Sequence, residues 1–109
     1  MQIDVSPMQS ATMLKPHGDV DMSCARDLQG ALHQALRAKP ERLIVNLEDV
    51  SYMDSSGVAT LVEAMQIARK SKTSVVLCNL QDRVRSIFEI ARLDRVFKIA
   101  ATADEALAN

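Results

Sequence analysis

The sequence predicts a single α/β domain: a mixed central sheet with helices packed mainly on one face, in the order β-β-α-β-α-β-α-β-α. Two observations carry this. Residues 43–47 and 74–78 are short, nearly continuous apolar runs rich in β-branched side chains (Ile44, Val45, Val75, Val76), the pattern of strands covered on both faces. Between them, Val58, Leu61, Val62 and Met65 recur at helical spacing, which predicts a helix over 56–71. Right-handed crossover makes the two strands parallel neighbours. It also places the segment joining the first strand to the helix at the carboxyl edge of the sheet, where partners and ligands are commonly received.

The remaining elements follow in chain order. Ile3 and Val5 alternate with polar neighbours before Pro7, and 11–14 resume after a short connection at 8–10, so two short strands are expected. Pro16, His17 and Gly18 then punctuate the chain, and a loop carrying Asp19 and Asp21 follows. Leu28, Leu32, Ala35 and Leu36 line one side of a helix over 23–39, ended by Pro40. Gly30 inside it costs roughly 1 kcal/mol against alanine, and either permits close packing or is tolerated. A third helix starts at Asn79 or Gln81 and carries Val84, Ile87, Phe88 and Ala91, with Leu93 tucked behind it. Residues 96–99 form a last short strand, and Thr102 with Glu105 has the capping-box spacing of a short terminal helix. Leu43, Val45, Leu47, Val58, Leu61, Val62, Val76, Ile87 and Phe88 are the expected core.

Length and composition narrow the function. The 109 residues, 48% hydrophobic and 25% charged, suit one ordinary globular domain spanning 1–109, with no linker, repeat or low-complexity segment. Only 3% are aromatic, so aliphatic side chains must fill the interior. Thirteen basic and fourteen acidic residues are interspersed and leave a net charge of -1, which offers no basic face and argues against direct nucleic-acid binding. No stretch approaches the ~18 apolar residues of a membrane span, so a cytoplasmic protein is expected. Cys24 and Cys78 stand far apart without ligand-spaced companions, which predicts buried small hydrophobes rather than a metal or redox site. Met53 and Met65 are expected in the core, whereas Met8, Met13 and Met22 offer adaptable contacts if exposed. His17 and His33 are expected to face solvent.

The stretch from Tyr52 through Asp54, Ser55, Ser56 and Gly57 to Leu61 is the least generic part of the chain, because an apolar strand breaks there into small polar residues that open a helix. Ser55 is expected to cap that helix, accepting from the free amides of its first turn. A helix N-terminus favours negative charge, so a phosphate on Ser55 or Ser56 is chemically at home there. A hydrolase reading fails on spacing. Met53 stands where a nucleophile elbow needs glycine, Asp54 opposes a developing oxyanion, and both histidines precede the serines. No Walker-type loop or paired-His metal motif is present, so neither an enzyme nor a cofactor is expected.

Gly18-Asp19-Val20-Asp21, the run 43–47, the run 50–58 with Asp54-Ser55-Ser56-Gly57 at its heart, and Val84 to Phe88 resemble, in that order, the anti-sigma factor antagonists of the STAS family. The resemblance spans nearly the whole chain. It implies a small domain that docks on a serine-protein kinase acting also as an anti-sigma factor, and that is phosphorylated on the serine after the aspartate, here Ser55, with Ser56 as second choice. It further implies a serine phosphatase acting on the modified form. Asp21, Asp54, Ser55, Ser56 and Gly57 are then the partner-binding residues, although for Asp21 and Asp54 a purely local backbone-capping role stands beside recognition of the kinase. Unmodified, the protein would hold the anti-sigma factor and so release a sigma factor or equivalent effector; phosphorylated, it would let go. The other implied role is a constitutive STAS scaffold of a transporter or multi-protein regulatory complex, in which the serines merely cap. Where the family often has glycine, this chain has Lys70 to Thr73 after the serine-bearing helix and Arg92 before Leu93.

Overall fold

The computed structural model describes residues 1–8 and 10–108; Gln9, in the expected connection between the first strands, and Asn109 lie outside the described residues. Five strands, β1 (Gln2–Pro7), β2 (Ala11–His17), β3 (Arg42–Asn46), β4 (Ser74–Cys78) and β5 (Lys98–Ala100), lie in sequence order across one sheet. β1 is antiparallel to β2, and β2 through β5 run parallel, so the sheet is mixed with β3 at its centre. Helices α1 (Ala25–Arg37), α2 (Ser55–Lys70) and α3 (Asp82–Ile90) pack on one face, and the short α4 (Ala103–Ala108) covers part of the other.

The unbroken apolar runs have a direct cause in this sandwich. Leu43, Val45, Val75 and Leu77 meet α1, α2 and α3, while Ile44, Val76 and Cys78 meet Ala106 of α4 from the opposite side. Both faces of the central strands are therefore covered, and alternation vanishes from the sequence. Burial pushes the Cys78 thiol up to about 11, helped by the Glu48 charge. Phe88 of α3 sits edge-to-face on Phe97, ring centroids 5.6 Å apart.

Two strand boundaries and one helix cap differ from the sequence reading for physical reasons. β2 continues through Pro16 to His17, because its ladder with β3 ends at Leu14 and the missing proline donor costs nothing on that side. The turn comes at Gly18, with φ +99°. The last strand begins at Lys98 because Leu93–Arg95 winds into a 3₁₀ turn, with Leu93 packed against the core as expected. In α4, Thr102 Oγ1 accepts from the Glu105 amide, but the Glu105 carboxylate reaches the Ala101 amide rather than that of Thr102.

The departures at the expected glycine positions also resolve. Lys72 (φ 60°) and Arg92 (φ 61°) occupy the left-handed conformation just past α2 and α3, as Lys39 (φ 51°) does past α1. After α2 the Thr73 amide reaches Ala68 O and the Lys72 amide reaches Arg69 O, the paired bonds of a Schellman turn. The turn a glycine would make is thus kept by cationic residues at helix C-termini, where positive charge is favoured.

Gly30 is not a packing glycine. It is exposed, and a Cβ there would meet nothing within 4 Å. Gly30→Ala is therefore expected to stabilise the protein by about 0.5–1 kcal/mol, read as a higher urea midpoint at unchanged slope. A loss of stability would reveal a contact that α1 does not show.

Candidate functional site

The site forms where two loops meet at the carboxyl edge of the sheet. The Gly18 amide donates to Asp49 O (3.0 Å), the Val20 amide to Tyr52 O (2.9 Å) and the Asp54 amide to Val20 O (3.0 Å). Val20 and Met53 consequently pair as a short parallel bridge, both fully buried. Ser51 Oγ donates to Asp19 Oδ1 at 2.9 Å and adds a side-chain tie. The loop holding Asp21 and the loop holding Ser55 are thus one unit.

Asp54, not Ser55, caps α2. Its extended backbone (φ -96°, ψ -174°) turns Oδ1 back onto the Ser56 and Gly57 amides at 2.9 and 3.2 Å. The Ser56 hydroxyl donates to the same oxygen. That hydroxyl bond, and then the two amides, hold the Asp54 carboxyl below the usual carboxylate range. An aspartate satisfies the cap as well as a serine, and its charge suits the helix dipole, so Ser55 is displaced into the first turn. There Ser55 is exposed and its hydroxyl has no hydrogen-bond partner among the described residues. The two serines are therefore unequal: one hydroxyl is free and the other is committed.

Asp21 also serves its own turn first. Its Oδ1 accepts from the Ser23 amide (2.9 Å) and the Ser23 hydroxyl, which together hold its carboxyl low, while the nearby Asp54 charge works against them. The Asp21 carbonyl accepts from the amides of Cys24 and Ala25 and so starts α1. Cys24 is not a buried hydrophobe: it is half-buried at the edge of the site, with Sγ 3.2 Å from Asp19 O. Met22 and Tyr52 flank the serines with 80% and 45% of their surfaces exposed, an outward apolar pair beside a polar loop.

Gly57 explains how the loops come so close. A Cβ there would lie 2.7 Å from Met53 Cγ, 2.8 Å from Val20 Cγ1 and 3.2 Å from Val20 O. Gly57→Ala is expected to cost about 1–3 kcal/mol of overpacking, against about 1 kcal/mol of gained helix propensity, for a net loss in urea melts. No loss of stability would mean the loops can part freely.

Val58, Val62 and Ile87 correct the expected core. They are half-buried and, with Ala59 and Ala91, line an open groove of about 760 Å³ between α2 and α3 that begins at Ser55. A helical stripe at core spacing has here been left partly uncovered.

Neither histidine simply faces solvent. His33 Nε2 lies 2.8 Å from Glu63 Oε1, an oxygen that also accepts from Gln29; the Gln29 bond and then His33 hold Glu63 low. His17 Nδ1 lies 2.7 Å from Asp49 Oδ2, and its Nε2 2.7 Å from Asp4 Oδ2. Both ring nitrogens face carboxylates, a setting that favours the imidazolium, in which both donate. Asp4 and then Asp49 raise its pKa above the ordinary 6.5, and His17 in turn lowers that of Asp4. Lys15, bonded to Glu48, lies alongside at 4.0 Å from Asp49. The raised His17 contributes stability that is present below its unfolded pKa and lost as pH rises through its folded pKa. The lowered Asp4 contributes stability lost as pH falls through its own. The clamp should therefore hold best between the two, and His17→Gln should flatten the decline in melting temperature above pH 6.5. Parallel pH profiles of the two proteins would refute it.

The STAS domain sequence model matches residues 2–106. The chain belongs to the STAS domain family. It is 29% identical over 104 residues to the anti-sigma-B factor antagonist of Bacillus subtilis, covering 95% of this chain and 94% of that protein. Its counterpart in Listeria monocytogenes is 33% identical over 82 residues, 75% of this chain and 72% of that one. An anti-sigma factor antagonist from Mycobacterium paratuberculosis shares the fold with a TM-score of 0.90 at 21% identity, covering 98% and 91% of the two chains. The phosphorylated form of SpoIIAA from Bacillus gives 0.75 at 21% identity, with 98% and 97% covered. A sulfate transporter family protein from Wolinella succinogenes gives 0.81 at 21% identity, with 96% and 87% covered. At these identities the structures attest the STAS fold. No helix among the described residues of this STAS domain is long and apolar enough to cross a membrane.

Proposed function

We propose that this STAS domain is an anti-sigma factor antagonist working as a phosphorylation-controlled interaction switch. Unmodified, it docks on a serine-protein kinase that is also an anti-sigma factor, and so frees a sigma factor or equivalent effector. Phosphorylated on Ser55, it lets go, and a serine phosphatase resets it. The observation that carries this is the inequality of the serines: Ser55 presents a free, exposed hydroxyl, while the Ser56 hydroxyl donates to Asp54. The relatives named anti-sigma-B factor antagonists support it, as does the phosphorylated SpoIIAA of the same fold. Asp21, Asp54, Ser56 and Gly57 build the rigid ledge from which Ser55 projects.

The chemistry fits the site. A phosphate adds roughly -1.5 to -2 charges beside the carboxylates of Asp54 and Asp21, and these charges must be desolvated when a partner docks. In the free protein, water and the positive end of the α2 dipole accommodate it, although Asp54 already takes the Ser56 and Gly57 amides. The modification therefore weakens docking without unfolding the domain. The fold shared with a sulfate transporter family protein favours one second reading, a constitutive scaffold whose face binds its partner regardless of phosphate.

Incubation with ATP and a candidate serine kinase from its own genome, followed by phosphopeptide mapping, tests the switch. One phosphate on Ser55, lost in Ser55→Ala and retained in Ser56→Ala, is expected. Phosphate on Ser56 alone would reassign the residue, and a tight complex that never transfers phosphate would favour the scaffold.

A further inference from the structure

We infer that the groove between α2 and α3 seats an amphipathic helix of the docking partner, apolar along one face and carrying a lysine or arginine at the end lying over Glu63. The inference deepens the docking reading above and rests on it for the partner's identity, but not for the chemistry of the occupant. Ser55, Val58, Ala59 and Val62 lie on one stripe of α2, and Ile87 of α3 and Ala91, the C-cap of that helix, form the facing wall. The lining on α2 continues to Gln66, eleven residues and so about 16 Å along the axis, the length of three helical turns.

Three features choose the occupant. The walls are aliphatic, and Val58, Val62 and Ile87 are only half-buried, so apolar surface still awaits cover. The groove is open along its length rather than closed around a small cavity, which suits a helix laid in with anchors at every third or fourth residue. Its charged lining residues are Asp54 and Glu63, both acidic, with no cation among them. Asp54 spends its carboxylate on the cap of α2. Glu63 lies about 13 Å farther along and its side chain remains 45% exposed; Gln29 and His33 both take Oε1, and Oε2 has no hydrogen bond among the described residues and can meet a cation at that end. The polarity of the groove also accounts for the switch. The apolar part of the guest packs at the Ser55 end, so a phosphate there meets aliphatic surface and must be dehydrated, while the compensating cation sits a full two turns away.

Two arms separate this inference from the reading it rests on. In the first, the isotope-labelled full chain is titrated with a 14-residue model helix of leucine and lysine, and separately with its leucine and glutamate counterpart. The basic helix is expected to shift the amides of 58–66 and 87–91 and the acidic one to leave them in place. Ala59→Gln, which fills the groove from an exposed helical position, is expected to weaken the basic helix about tenfold or more. Glu63→Gln is expected to narrow the difference between the two helices. Equal effects of both helices, no shift in the groove, or shifts that follow protein concentration alone and so mark a second copy as occupant, would each overturn the inference. In the second arm the cognate kinase replaces the model helix. Loss of kinase binding in Ala59→Gln, with its melting temperature unchanged, supports the groove as the docking surface. Undiminished binding by that variant overturns the groove and leaves the switch standing. Absence of binding by wild type overturns the docking reading, while the first arm still decides the groove.

Discussion

Phe88→Ala is expected to cost about 3–5 kcal/mol, a large share of the 5–15 kcal/mol that holds an ordinary domain together. Phe88 is fully buried, and its ring fills the space between α3 and the helix-facing side of the sheet. Phe97, the other phenylalanine of the chain, and the aliphatic residues around the ring are themselves packed in the core, so filling the void would mean giving up existing contacts. The truncation also strips Phe97 of its edge-to-face partner, an interaction worth about 0.5–1.5 kcal/mol beyond burial. Phe97 follows the 3₁₀ turn and precedes β5, so the damage should spread to the sheet edge formed by that three-residue strand. Urea melts would read the loss, and hydrogen exchange should show β5 losing protection before β3. A loss below about 1 kcal/mol would mean that the α3 side of the core can collapse around the missing ring.

How much of this was legible in the sequence depended on whether the signal was local. The runs 43–47 and 74–78 announced the central strands because burial on both faces removes alternation, and α2 announced itself through its apolar period. The loop of Asp54, Ser55, Ser56 and Gly57 stood out for its composition. Its internal division of labour did not, since aspartate and serine both cap helices and a shift of one residue leaves the composition unchanged. Asp54 won because a carboxylate can take two amides and a hydroxyl at once. The groove was hidden for a different reason: Val58, Val62 and Ile87 have the same spacing whether a stripe is covered or half-covered. The clamp of His17 on Asp4 and Asp49 joins residues 13 and 32 positions apart, and only the hairpin and the β3 edge bring them together. Gly57 was readable as part of a motif, whereas its reason, the closeness of Val20 and Met53, exists only in three dimensions.

Ser55→Asp is expected to weaken docking on the kinase partner about tenfold or more while leaving the fold intact, and Ser55→Ala to bind as wild type does but accept no phosphate. The separation follows from where Ser55 sits. Because Asp54 supplies the cap, removing the Ser55 hydroxyl breaks no hydrogen bond found among the described residues, and alanine is a good residue in a first helical turn. Aspartate at the same position gains from the helix dipole, since the first turn of α2 otherwise holds no acidic residue, and loses from its nearness to Asp54. These opposing effects should leave the stability change at a few tenths of a kcal/mol. At an interface there is no such offset. The added carboxylate must shed water beside Asp54, in a mouth whose apolar wall begins one turn away at Val58, and like charges brought together there cost several kcal/mol when desolvated. Titration calorimetry and thermal melts of the three proteins would show whether affinity and stability part company. Affinity lost in step with melting temperature would trace the effect to misfolding, and full affinity in a well-folded Ser55→Asp protein, repeated with authentic phosphoserine, would leave the serine loop as a plain docking ledge.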